Sequence, residues 1–83
     1  MNLETLQLYC DVVRLRSFSR GAAANEVSQS AASQAIQLLE SDIGVRLLDR
    51  TKRPFTVTAQ GRVFYDACRE LLDRYRQARG RIA

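Results

Sequence analysis

Histidine and tryptophan are missing altogether, and the chain holds one proline and two cysteines. Without imidazole there can be no His-dependent triad, and Cys10 and Cys68 stand far apart and outside any CxxC pair, so zinc ligation is excluded as well. The two cysteines read as buried thiols, with no metal and no cofactor expected. No apolar run approaches the roughly 18 residues that a membrane span needs. The opening Met1-Asn2-Leu3-Glu4 has neither the basic start nor the apolar middle of a signal peptide, so a cytoplasmic chain without a membrane partner is expected. Carboxylates are few in useful pairs: Glu40 and Asp42 are two apart on a predicted helix and point to different faces, a poor acid/base arrangement, so enzyme activity is not expected.

What is present suits one small soluble domain. Its 83 residues are 46% hydrophobic and 27% charged, enough apolar content to fold around a single modest core. The net charge of +4 hides an asymmetry: residues 1–42 sum to −2 and residues 43–83 to +6. A basic half points to a polyanionic partner only if an element able to read that partner lies beside it.

Apolar residues recur at Leu3, Leu6, Cys10 and Val13 behind a capping Asn2, which predicts a helix over 3–15. Ser19 is a candidate cap for a short alanine-rich helix over 20–25, with Phe18 plugging the core beside it. Ser28 can cap a third helix over 29–42, ending where Gly44 can turn left-handed. The runs 47–50 and 55–58 are β-like and flank Thr51-Lys52-Arg53-Pro54, a hairpin with a basic tip. From Thr58 a long helix runs to the C-terminus.

The third helix carries most of the functional argument. At about 100° per residue, Ala32, Ile36, Leu39 and Ile43 gather on one side, while Ser30, Ser33, Gln34, Gln37 and Ser41 gather opposite them. That outer face has hydroxyls and amides but no charge. Such groups donate and accept toward base edges, glutamine bidentately toward adenine, and small residues let the helix sit deep in a groove. At the hairpin, Arg50, Lys52 and Arg53 surround a turn stiffened by Pro54, suited to phosphates or to a minor groove. Arg20, opening the second helix, adds a cation on the other side. In the last helix Phe64, Cys68, Leu71, Tyr75, Ala78 and Ile82 follow the alternating spacing of a coiled-coil seam, which predicts a homodimer.

Taken together, Ser17-Phe18-Ser19-Arg20-Gly21-Ala22-Ala23, Val27-Ser28-Gln29-Ser30-Ala31-Ala32-Ser33-Gln34-Ala35-Ile36, Leu39-Glu40, Gly44-Val45-Arg46-Leu47-Leu48, Arg50-Thr51 and Val57-Thr58-Ala59-Gln60-Gly61 resemble the LysR-type transcriptional regulators. The match runs over almost the whole chain. It implies a mainly α fold: a winged helix-turn-helix of three helices and a two-stranded β wing over 1–58, then a linker helix over 59–83 through which two chains pair. It also implies contacts to double-stranded DNA from Gln29, Ser30, Ser33 and Gln34 and from wing residues Arg50, Thr51 and Arg53. Gln37 comes from helical geometry, and Lys52, Pro54 and Arg20 from charge and turn arguments.

The resemblance further implies an interrupted two-fold site bounded by T and A, tetramers in a full-length chain, and a place at the nucleoid. The family's larger effector-binding domain has no counterpart here, so the chain reads as a DNA-binding fragment or a naturally short regulator, with any small-molecule effector acting only through that domain. The sequence departs from the family pattern at Ser30, where proline is common, at Gln34 (a basic residue), at Gly21 (alanine) and at Gln60 (glutamate). The alternative reading is a helical dimerisation or adaptor module with a basic protein-binding surface. It accommodates the seam and the charge asymmetry but explains neither the uncharged third helix nor the basic-tipped wing.

Overall fold

The computed structural model describes residues 2–83. Helix α1 (Leu3–Leu15) starts at Asn2, whose side chain accepts from the Thr5 amide at 2.9 Å. It stops at Arg16, which turns left-handed (φ 53°) and returns its amide to the Val12 and Val13 carbonyls. That reversal sets Ser17 extended, so Ser17 caps α2 (Phe18–Ala24) by accepting from the Arg20 amide. The second helix therefore begins two residues before the Arg20 predicted from Ser19. Phe18 opens it and packs edge-on against Phe55, ring centroids 5.2 Å apart, in the plugging role expected of it.

A turn with Glu26 in left-handed geometry (φ 57°) leads to α3 (Gln29–Ile43), capped by Ser28 through the Ala31 amide. The helix ends at Gly44 (φ 86°), a backbone region that side chains rarely adopt. Strands β1 (Leu48–Asp49) and β2 (Thr56–Val57) form an antiparallel pair, Leu48 opposite Val57 and Asp49 opposite Thr56, shorter than the β-like runs in the sequence. Thr58 then caps α4 (Ala59–Ile82) through the Gly61 amide.

The core lies where α1 meets the other three helices. Tyr9, Val12, Ile36, Leu47 and Leu48 are its largest fully buried side chains, and the Tyr9 hydroxyl donates to the Gly61 carbonyl at 2.8 Å, tying α1 to the start of α4. Burial raises the Tyr9 phenol above its usual range. Asp11 is the one buried charged residue among those described, and its carboxylate accepts from Gln7, Arg14 and Asn25. Asn25 also donates to the Gly21 carbonyl, so this cluster fixes the end of α2 against α1.

Two sequence-based expectations need correction. Ile43, predicted on the packing face, is 37% exposed, because α3 has run past the core by its last residue. On α4 the face packed into the molecule is Gly61, Tyr65, Cys68 and Leu72. Cys68 is therefore a core residue on that inner face, not part of an open seam, and Phe64 is half-buried with its ring 5.5 Å from that of Tyr9. Cys10 and Cys68 are both buried free thiols; the hydrogen bond between them and then burial push the Cys10 thiol up. Beyond Leu72 none of the helix is buried, and the exposed stripe runs through Val63, Ala67, Leu71, Tyr75, Ala78 and Ile82.

Candidate nucleic-acid interface

Helices α2 and α3 with their turn form a helix-turn-helix, and α3 is held by Ala32, Ile36 and Leu39 on its inner side. That anchoring turns Gln29, Ser30, Gln34, Gln37 and Ser41 outward, all exposed. No charged side chain interrupts the outer surface from Gln29 to Leu39, so these amides and hydroxyls keep their donors and acceptors free. The surface is not wholly polar: Leu38 is 71% exposed, one turn beyond Gln34, a position that the sequence argument passed over. At the C-terminal end of α3, Arg46 is exposed and shares a shallow groove with Gln37 and Ser41; it too was not singled out, because nothing in its local pattern marks it.

Ser33 sits at the flank of this face, partly buried, and its hydroxyl accepts from Arg50 Nη1 at 3.0 Å. Arg50, read from the sequence as a wing cation, is turned inward, its side chain 24% exposed. Its Nη2 lies 3.6 Å from Glu40 Oε1, and its guanidinium sits 4.8 Å from the centre of the Phe18 ring. Burial lowers Arg50 and the Glu40 carboxylate opposes that shift. The other Glu40 oxygen accepts the amides of Leu47 and Leu48 at 2.7 and 3.1 Å, so one carboxylate holds both the base of the wing and its arginine.

The wing tip is differently organised. Thr51 gives its hydroxyl proton (2.6 Å) and its amide (3.0 Å) to Asp49 Oδ1, which holds the Asp49 carboxyl below the usual carboxylate range and shapes the turn. Thr51 thus has its donors engaged inside the wing. Lys52, Arg53 and Pro54 are exposed with no hydrogen bond from their side chains among the described residues, and Arg20 is exposed at the start of α2. These exposed cations belong to the wing tip and to α2, and none lies on the outer face of α3 itself.

A helix-turn-helix backed by a two-stranded β wing places the chain among winged helix-turn-helix domains. Residues 3–62 match the family model described as "Bacterial regulatory helix-turn-helix protein, lysR family", and the chain belongs to that family. It is 38% identical over 77 residues to a probable cat1 operon transcriptional activator of Acinetobacter lwoffii, covering 93% of this chain and 25% of that protein. To the SDS degradation transcriptional activation protein of Pseudomonas sp. (strain ATCC 19151) it is 38% identical over 82 residues, covering 99% of this chain and 27% of that protein. Among solved structures it superposes on the BenM_DBD/benA site 1 DNA complex with a TM-score of 0.94 at 33% identity, covering 99% of this chain and 92% of that one. The CbnR_DBD-DNA complex gives a TM-score of 0.89 at 30% identity, covering 98% and 93%. The resemblance seen in the sequence and the mainly helical winged fold are both borne out. The chain spans about a quarter of the length of the curated relatives it matches.

Proposed function

We propose that this chain reads base sequence in the major groove of double-stranded DNA with the outer face of α3, as part of a transcriptional regulator. The observation that carries this reading is the uncharged face of Gln29, Ser30, Gln34 and Gln37, presented by a packed helix, with Lys52, Arg53 and Arg20 exposed on the wing and on α2. Hydrogen-bonding groups without charge discriminate bases, and surrounding cations supply affinity without reading sequence. Pro54 shapes the wing turn that carries Arg53 to phosphate or into the minor groove. The solved relatives bound to DNA support the same assignment. A regulator reading DNA works in the cytoplasm, at the nucleoid.

Two copies pair through the outer stripe of α4, so that the complex reads an interrupted two-fold site. Leu71 and Tyr75 are 49% and 45% exposed and Ile82 is 88% exposed, a row of apolar side chains that the chain itself leaves uncovered. At about 1.5 Å per residue, a helix of this length gives a long seam for a partner helix. A small-molecule effector acts only through the family's effector-binding domain, and tetramers are a matter for full-length regulators.

Selection from random duplexes at two salt concentrations tests the reading. Enrichment of a two-fold site, held less firmly at high salt, is the expected result. Retention without any enriched sequence would remove the reading role from α3 and favour an adaptor whose basic surface meets an acidic protein.

A further inference from the structure

Arg50 links three parts of the domain through one side chain. It leaves the end of β1, crosses the Phe18 ring of α2, reaches Glu40 and Ser33 of α3, and its buried Nε–H has no partner. The bond to Ser33 has a directional consequence. A serine hydroxyl has one proton and two lone pairs, and Arg50 Nη1 occupies the oxygen from the inside at 3.0 Å. Nη2 reinforces this from 3.5 Å by facing the Ser33 carbonyl. Arg50 has only donors to offer, so the Ser33 proton cannot point back at it. Among the described residues no acceptor takes that proton.

We propose that Arg50 is a positioning residue for base recognition: by donating to Ser33 Oγ it presents Ser33 to the groove as a hydrogen-bond donor. With one lone pair taken and the proton free, Ser33 is matched by a base that offers an acceptor, such as guanine O6 or N7, adenine N7 or thymine O4, ahead of an amino group alone. The same guanidinium, balanced by Glu40, fixes the base of the wing against α3, so the register of the wing and the polarity of Ser33 are set by one side chain. Arg50 is in this account not a phosphate contact.

The proposal rests on α3 being the reading helix. With a selected duplex in hand, dissociation constants for the chain, Ser33→Ala, Arg50→Met and the double variant are measured against every single base-pair change and across a salt series. Ser33→Ala should lose about tenfold discrimination at one base pair, Arg50→Met should lose it at the same pair, and the double variant should lose no more than either. The salt slope of Arg50→Met should equal that of the parent chain. At the affected pair, deleting the acceptor atom from the base, as 7-deaza purines do for N7, should reproduce the Ser33→Ala loss. A uniform loss on all duplexes with the slope reduced by about one would make Arg50 a phosphate contact and overturn the proposal. So would a preference for cytosine facing Ser33, or no change in base preference on Ser33→Ala. These last two results need only the Ser33 variant and modified duplexes, so they decide the matter even if Arg50→Met does not fold. If the parent chain enriches no sequence, the groove-reading assignment fails first and takes this proposal with it.

Discussion

Replacing Gly61 with alanine should loosen the wing from the helical core. Gly61 lies in the first turn of α4, directly against the strand that enters the wing. A Cβ there would fall far inside van der Waals contact with the Leu47 carbonyl oxygen, 3.0 Å from the Leu47 carbonyl carbon and 2.9 Å from Val57 Cγ1. The first two obstacles are backbone and cannot rotate away. The Leu47 oxygen also accepts the Thr58 amide at 3.1 Å, while the Leu47 amide is held by Glu40, so the segment leading into β1 is tied on both sides of the collision. Overpacking of this kind costs about 1–3 kcal/mol, and a strained Thr58–Leu47 bond adds about 1 kcal/mol. Alanine's better helix propensity returns at most about 1 kcal/mol. The net destabilisation should be about 1–3 kcal/mol, or roughly 4–8 °C of melting temperature for each kcal/mol in a domain of this size. Far-UV circular dichroism melts would measure it, with Gly80→Ala as the control, since nothing lies within 4 Å of a Cβ built at Gly80. If Gly61→Ala melts at or above the parent chain while Gly80→Ala is neutral or better, the close approach of α4 to Leu47 is not what seats the wing.

Three further outcomes follow from assigning separate tasks to the exposed residues. Gln34→Ala should cost about 1–3 kcal/mol on the best duplex and relax one base preference; titrations showing the same loss on unrelated duplexes would contradict its place on the reading face. Arg53→Ala should weaken every duplex and lower the salt slope by about one, and an unaltered slope would put the wing tip away from phosphate. Leu71→Asp should yield monomers in sedimentation, because each copy loses a contact worth about 1.5–3 kcal/mol and gains a charge to desolvate, so a variant that still dimerises would remove the outer stripe of α4 as the interface.

Local chemistry made much of the fold legible. Asn2, Ser28 and Thr58 announce helix starts because a side-chain oxygen followed by a periodic apolar run is enough to cap, and Gly44 announces an end because few residues accept its φ. Where two local answers compete, tertiary packing decides. Ser17 and Ser19 can each cap, and the choice falls to Ser17 because Arg16 reverses the chain and Phe18 meets Phe55. The phase of α4 was obscured for a related reason: it has two apolar faces, and a four–three spacing can be threaded across both, which placed Cys68 on the wrong one. The outer face of α3 was readable from its pattern alone. The direction of Arg50 was not, since its carboxylate partner is ten residues away and the two meet only once the loop from Gly44 to Leu47 has folded. No pattern around Glu40 reveals that its oxygens will hold two amides and a guanidinium.

These ties also change what the charge asymmetry means. A sheet of two residue pairs cannot hold itself in water, so the position of the wing depends on α3 and α4 through Glu40, Arg50, Thr58 and the bare backbone of Gly61. Arg50 is neutralised in the process. On α4, Arg76 pairs with Asp73 at 3.0 Å and donates to Gln7 at 2.6 Å, and Arg62 and Arg69 lie over the Tyr65 ring at 5.5 and 5.6 Å. Much of the positive charge in the second half of the chain is therefore engaged with the protein's own surface, and the wing contributes Lys52 and Arg53. The family pattern's basic residue at the position of Gln34 is also missing. No cation lies on α3 itself from Gln29 to Leu39, so on the proposed reading phosphate attraction comes from outside that helix. On that reading, discrimination between sequences then rests on the directional hydrogen bonds of α3, which makes the orientation of a single hydroxyl such as that of Ser33 consequential.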